Sequence, residues 1–406
     1  MSLHAADWDG TRTLVSSTDS RLSLTLEAPG QPAVFNFDHA GRPWSILRGG
    51  TFFQRGLNGR VVAKWIDAER GRQRRWLPPE QALSLAAEAG EQASRLLAAL
   101  DAGEVSFDPG LEPGVLQVLA RASGCTARKL EREVERFHTI YRPVGILPPD
   151  QYQAVLLQAT EGCSHNGCTF CEFYKGQPFR IKAPDPFRQH CQDVRAFLGS
   201  GLSLRRTLFL GDANALAVPQ DRLLQLFRVV HEIYDVDALG GIFAFQDAFS
   251  GEKKDIGDYG ALRELGLARV YIGLESGHDP LLEFLNKPGN TTSALRTVTS
   301  LKAAGVPVGI IILLGAGGRE YARGHVEDSI AVLNRMTLDM NDQIYFSELV
   351  ESEGMRYTLK AFESALQPLT SAERQKQAAL IEGGLHFSTS GGTPHISRYD
   401  IREFVY

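Results

Sequence analysis

From about residue 150 onward the chain repeats one pattern of polarity: a short run that is almost wholly apolar, then a longer segment with apolar residues at helical spacing. Strands covered on both faces read as unbroken apolar runs, and returning helices read at a period near 3.6, so the repeat predicts parallel strands joined by crossover helices. Six strands are expected, at about 153–158, 207–210, 240–245, 269–274, 306–314 and 343–350. Six such units make an incomplete barrel. In parallel sheets and barrels the chemistry collects where loops leave the C-terminal ends of the strands.

Before residue 150 the pattern differs. Residues 1 to about 76 alternate β-rich runs with glycine-containing turns, as in Leu22-Ser23-Leu24-Thr25-Leu26 and Ala33-Val34-Phe35-Asn36-Phe37 followed by Ala40-Gly41. Pro78 and Pro79 then open a segment in which Leu83, Ala86, Ala89, Ala93, Leu96, Leu97 and Leu100 recur at helical spacing. Two more helices are expected at about 113–122 and 126–139, and Arg142-Pro143 through Pro148-Pro149 reads as a connector. Beyond 351, Thr370 and Glu373 form a capping box for a helix ending near Gly383-Gly384, and a glycine-rich stretch leads to the tail 399–406. The expected fold is α/β: a partial (β/α)6 TIM-like barrel over 149–350, an N-terminal α+β domain over 1–148, and a C-terminal helical extension and tail over 351–406.

Composition narrows the class. At 406 residues and 43% hydrophobic content the chain can bury more than one core. A net charge of -5 and a pI near 6.1 argue against a general nucleic-acid binder. Residues 1–10 lack a basic start followed by an apolar run, and no later stretch approaches ~20 apolar residues, so a cytoplasmic protein without membrane spans is expected. The five cysteines, at 125, 163, 168, 171 and 191, are too few and too clustered for a secreted disulfide framework and point to metal binding.

Three of them, Cys163, Cys168 and Cys171, fall within nine residues directly after the first expected barrel strand. Thiolates are the ligands iron-sulfur clusters require, and three supply one vertex each, leaving a fourth iron open to a small molecule. Gly162, Gly167 and Asn166 tolerate the left-handed backbone such a tight loop needs. A zinc site, with His165, His190 or Cys191 as fourth ligand, is the alternative, although structural zinc usually takes two ligand pairs and only Cys168 and Cys171 form one here.

This loop resembles that of the radical S-adenosylmethionine superfamily, with four residues rather than the commoner three between the first two cysteines. The resemblance covers about 150–350. It implies that Cys163, Cys168 and Cys171 hold a [4Fe-4S] cluster whose open iron chelates S-adenosylmethionine, and that Phe170 packs near the adenine. It further implies that Gly211 and Asp212, after the second strand, meet the methionyl amino group. Glu275 and Ser276, at the end of the fourth strand in Tyr271-Ile272-Gly273-Leu274-Glu275-Ser276-Gly277, then fall to the ribose and methionine. A salt bridge to Lys287 is the plainer account of Glu275, and a helix cap that of Asp212 or Asn214. The fifth strand, with Gly309, and the sixth, over Tyr345 to Leu349, would flank the adenine, unless packing alone explains them.

Lys175, Arg180 and Lys182 follow the loop and are read either as a solvated run or as partners of the cofactor carboxylate. Arg70, Arg72, Arg74 and Arg75 are read as a solvated face or a phosphate-binding patch. With only Cys125 and Cys191 to spare, no second all-cysteine cluster can be built, and the Asp-x-His-x-x-Gly pattern of cobalamin-binding domains is missing, Asp38-His39-Ala40-Gly41 having the wrong spacing. The implied activity is reductive cleavage of S-adenosylmethionine and hydrogen abstraction from a small or biosynthetic substrate, with an electron donor such as flavodoxin or ferredoxin. Aminocarboxypropyl transfer and a non-catalytic zinc- or iron-binding module are the competing readings. Residues 1–148 match no family motif, and their position suggests a part in substrate access.

Overall fold

The computed structural model of the protein describes residues 2–251, 253–387 and 391–406. An antiparallel meander comes first: β1 (Ser2–Trp8), β2 (Thr11–Ser17), β3 (Arg21–Glu27), β4 (Ala33–Asp38), β5 (Pro43–Arg48), β6 (Thr51–Arg55), β7 (Val61–Asp67) and β8 (Gly71–Trp76), each paired with the next. Alternation puts Leu22 and Leu24 on one face of β3, where they pack with Phe35, Phe37 and Ile46 against Ala93 and Leu96 of helix Pro79–Asp101. Helices Pro113–Ser123 and Ala127–Ile140 follow, the second capped by the Thr126 side chain, which accepts from the Lys129 backbone.

The second sheet is wholly parallel. Its strands are β9 (Ala154–Gln158), β12 (Thr207–Gly211), β13 (Ile242–Gln246), β14 (Leu267–Glu275), β15 (Val308–Leu314), β16 (Gln343–Glu348) and β17 (His395–Tyr399), in the order β17-β16-β15-β14-β13-β12-β9. A two-stranded ribbon of β10 (Thr160–Glu161) and β11 (Arg180–Ile181) brackets the loop after β9. The six expected strands are present, each bound within two residues of its expected position. The seventh is not among the expected strands: helix Ser371–Gly383 of the C-terminal extension, with its Thr370–Glu373 capping box, acts as one more crossover and brings β17 alongside β16 in parallel register. The core gathers β9 through β16 with helices such as Pro184–Leu198 and Gln220–Ile233 on the outside.

Candidate functional site

At the C-terminal ends of the parallel strands lies a cavity of about 350 Å³, and Cys163, Cys168 and Cys171 all stand on its wall. The loop that carries them is pinned from several sides. Gly162 has φ +71, and a side chain there would meet Gln177 O at 2.9 Å and Pro178 O at 3.0 Å, so the backbone passes where only glycine fits. Asn166, also left-handed at φ 46, donates from Nδ2 to Tyr174 O at 2.8 Å, and its backbone N–H approaches Cys163 Sγ at 3.4 Å. Asn286 Nδ2 donates to Gly167 O at 2.7 Å, and the Thr169 backbone N–H donates to Leu285 O at 2.9 Å.

Electrostatically the wall is a mixed environment. Burial pushes the Cys168 thiol up and the Cys171 thiol up to about 11, so ligation must displace the thiol protons that burial favours. Glu275 closes β14 with a left-handed φ of 64, and Lys287 Nζ donates to its Oε1 at 3.0 Å. Burial pulls Lys287 down, but the acidic groups around it, Glu275 foremost, together outweigh burial and hold the ammonium above its ordinary range. The same ammonium sits 5.9 Å from the centre of the Phe170 ring. Among the described residues no group of three or more His, Cys, Asp or Glu converges on a single ion. Three thiols around one cavity, too dispersed for one ion, fit a cluster that offers each a separate iron.

Of the five residues expected to meet the cofactor, Phe170 and Glu275 line the cavity; Gly211, Asp212 and Ser276 do not. Gly211 faces Leu156, whose Cδ1 would lie 2.7 Å from an added Cβ. The Asp212 carboxylate is buried against Gln158, whose Nε2 reaches both oxygens at 3.2 Å, and burial raises it to about 7. Ser276 Oγ lies 2.6 Å from His325 Nδ1, toward helix Gly318–Arg335. Gly309 likewise serves packing: a Cβ there would meet Tyr271 Cδ1 at 2.5 Å. Lys175 and Lys182 bind loop carbonyls, at 3.3 Å to Cys168 O and 2.7 Å to Gln158 O, and neither borders the cavity. Within the arginine run, Arg72 pairs with Glu403 and Arg74 with Asp400.

Residues outside the expected set complete the wall. Asn214 Nδ2 donates to Ser164 Oγ at 2.9 Å and pairs with Asp247 at the end of β13, tying the cysteine loop to two strand ends. The buried Gln246 accepts from Tyr259 OH at 2.9 Å through Oε1, while its Nε2 has no hydrogen-bond partner among the described residues. Tyr399 and Ile401 enter from β17 and the turn after it. Gln246 and Asp247 directly follow the third apolar run, so the strand-end rule pointed to them; nothing in the sequence announced Tyr399.

Residues 157–327 match the sequence profile of the Radical SAM superfamily. The chain carries a radical SAM domain. Enzymes of that superfamily use a [4Fe-4S] cluster and S-adenosylmethionine, and these are the cofactors of the domain. A search of curated proteins finds no match. Among solved structures, the chain is similar to the cobalamin-dependent S-adenosylmethionine radical enzyme OxsB with aqua-cobalamin and S-adenosylmethionine bound, at 12% identity and TM-score 0.39 over 80% of this chain and 37% of that one. It is similar to coproporphyrinogen III oxidase (HemN) from Escherichia coli at 12% identity and TM-score 0.43, over 62% and 56% of the two chains. For methylornithine synthase (PylB) the values are 15% identity and TM-score 0.40, over 66% and 76%. The chain thus spans little more than a third of the length of OxsB. No helix among the described residues is long and apolar enough to cross a membrane.

Proposed function

We propose that Cys163, Cys168 and Cys171 hold the [4Fe-4S] cluster, and that the enzyme begins its reaction by hydrogen abstraction from a small or biosynthetic substrate bound in the adjoining cavity. The observation that carries this reading is the presence of all three thiols on one wall of the cavity at the strand ends. When bound, the cluster and S-adenosylmethionine supply one-electron cleavage of a carbon-sulfur bond and a 5'-deoxyadenosyl radical. The chain's own part is to bind, orient and shield. Phe170, Ile311 and Leu313 offer an apolar bed for a nucleoside, and Glu275, held by Lys287, offers a carboxylate oxygen to hydroxyl donors. Gln246 brings a buried amide N–H with no acceptor among the described residues, the kind of group a ligand satisfies. The largely apolar remainder, including Phe245, Leu349 and Met355, excludes water from the reacting atoms.

Anaerobic reconstitution, followed by incubation with S-adenosylmethionine and a chemical reductant such as dithionite, tests this. About four irons and four sulfides per chain, and 5'-deoxyadenosine as the nucleoside product, are expected. Methylthioadenosine instead would establish aminocarboxypropyl chemistry, and a zinc-loaded chain that leaves S-adenosylmethionine intact would establish a metal-binding module. Serine at all three cysteines with cleavage unchanged would overturn the ligand assignment.

A further inference from the structure

The seventh strand is a cavity wall held from outside the barrel. β17 is an edge strand of five residues paired on one side only, with β16. Its last residue, Tyr399, faces the cavity and packs edge-on against Tyr345 with ring centres 5.7 Å apart. Ile401, two residues on, also borders the cavity. Two carboxylates of the same segment turn to the N-terminal sheet instead. Asp400 pairs with Arg74, and Glu403, only 6% exposed, pairs with Arg72 and with Lys64 at 3.4 Å.

The three cations sit close together on β7 and β8. Lys64 lies directly opposite Arg74 in the antiparallel register, and Ile66 opposite Arg72. Like charges directly across a ladder repel, so this arrangement destabilises the hairpin unless anions stand over it. Asp400 and Glu403 are those anions. In return, a carboxylate as buried as Glu403 requires cations, and Lys64 and Arg72 are its two ion-pair partners. The segment is fixed further along as well. Phe404 packs on Tyr152 at 5.1 Å, and the Tyr406 hydroxyl accepts from Leu156 N at 2.8 Å and donates to Ala154 O at 3.2 Å.

We propose that the N-terminal sheet is a positioning device for the active-site cavity: Lys64, Arg72 and Arg74 grip Asp400 and Glu403, and so set where Tyr399 and Ile401 stand. The grip stands on the ion pairs alone, and its meaning for catalysis rests on the function proposed above. It gives residues 2–76 a role in shaping the space a substrate meets without contributing a side chain to it.

Hydrogen exchange on the metal-free full chain tests the grip independently of any cluster. In R72A/R74A, amides 395–399 are expected to exchange at least tenfold faster than in the unaltered chain, while the amides of β3 and β4 keep their rates. R74E should show the same loss, and adding D400K should restore protection, which a nonspecific loss of stability would not do. Should R72A/R74A fail to fold, Glu403→Gln serves as the milder variant, with a threefold or greater increase expected. Exchange within twofold of the unaltered chain in every variant overturns the grip. On reconstituted protein, S-adenosylhomocysteine binding by calorimetry and the rate of 5'-deoxyadenosine release then read positioning. At least one should change fivefold in R72A/R74A and recover in R74E/D400K. If exchange rises and neither changes, the sheet is a brace and the positioning proposal fails; if the unaltered chain takes up no iron, the functional reading fails while the exchange result stands.

Discussion

The two sheets of this chain bury their strands in opposite ways. β15 is buried at all seven positions and β9 at all five, whereas β3 alternates between core and solvent. A parallel strand covered on both faces has no side on which to display a polar group, so its chemistry emerges only where it ends: Gln246 on β13, Glu275 on β14, Ser347 and Glu348 on β16. The antiparallel sheet keeps a second face turned away from its own core, and on that face stand Lys64, Arg72 and Arg74 under the C-terminal segment. One sheet places function at its edge of termination, the other on its surface.

The contrast is most sharply tested at the strand end that carries a buried ion pair. Glu275→Gln leaves the Lys287 ammonium buried without its counter-charge, and loss of one member of a buried pair costs about 3 kcal/mol or more. Urea unfolding should show that loss, and Lys287→Met in the same chain should recover part of it, because both charges are then gone. A loss below about 1 kcal/mol would mean that the pair is solvated and that Glu275 is not a desolvated ligand group.

Within the parallel sheet, Gly309→Ala should cost about 2 kcal/mol, in the range of overpacked cores. The added methyl would press on the Tyr271 ring, which is fully buried and whose hydroxyl is tied to Asp150 and Gln151, so the ring cannot swing away. The end of β12 makes a pH-dependent case. Burial raises Asp212 to about 7, above its unfolded value of about 3.9, so the folded state holds the proton more tightly. Its contribution to stability is complete below the unfolded value and is lost as pH rises through 7. Between pH 5 and pH 8 the unaltered chain should therefore lose roughly 2 kcal/mol relative to Asp212→Asn. Parallel stability curves for the two proteins would show that the carboxylate is already ionised at pH 5.

Much of this organisation was legible in the sequence, and what was not has physical causes. Ile310-Ile311-Ile312-Leu313-Leu314 announces a doubly covered strand, and three cysteines around glycines announce a ligand loop. His395–Tyr399 announces little, because an edge strand with partly exposed positions needs no apolar run. Asp212 and Ser276 were visible as polar residues after strands. Which way their side chains turn depends on partners such as Gln158 and His325, which no local pattern identifies. The cations of β8 were equally visible, but their carboxylates lie more than 300 residues away, at Asp400 and Glu403.

The smallest effect is expected on the antiparallel side, and it isolates backbone from packing. Gly50, in the hairpin between β5 and β6, has φ +71 and nothing within 4 Å of where a Cβ would stand. Gly50→Ala therefore meets only the left-handed penalty of an L-residue, about 1 kcal/mol, with no neighbour to displace. Gly309, whose φ is ordinary, meets only the neighbour. Thermal unfolding of the two alanine variants side by side separates these causes: Gly50→Ala should shift the midpoint by a few degrees, and Gly309→Ala by more. If Gly50→Ala proved the costlier, the hairpin would be under a constraint from the sheet that its open surroundings do not display, and the division between a sheet that works at its ends and one that works on its face would need redrawing.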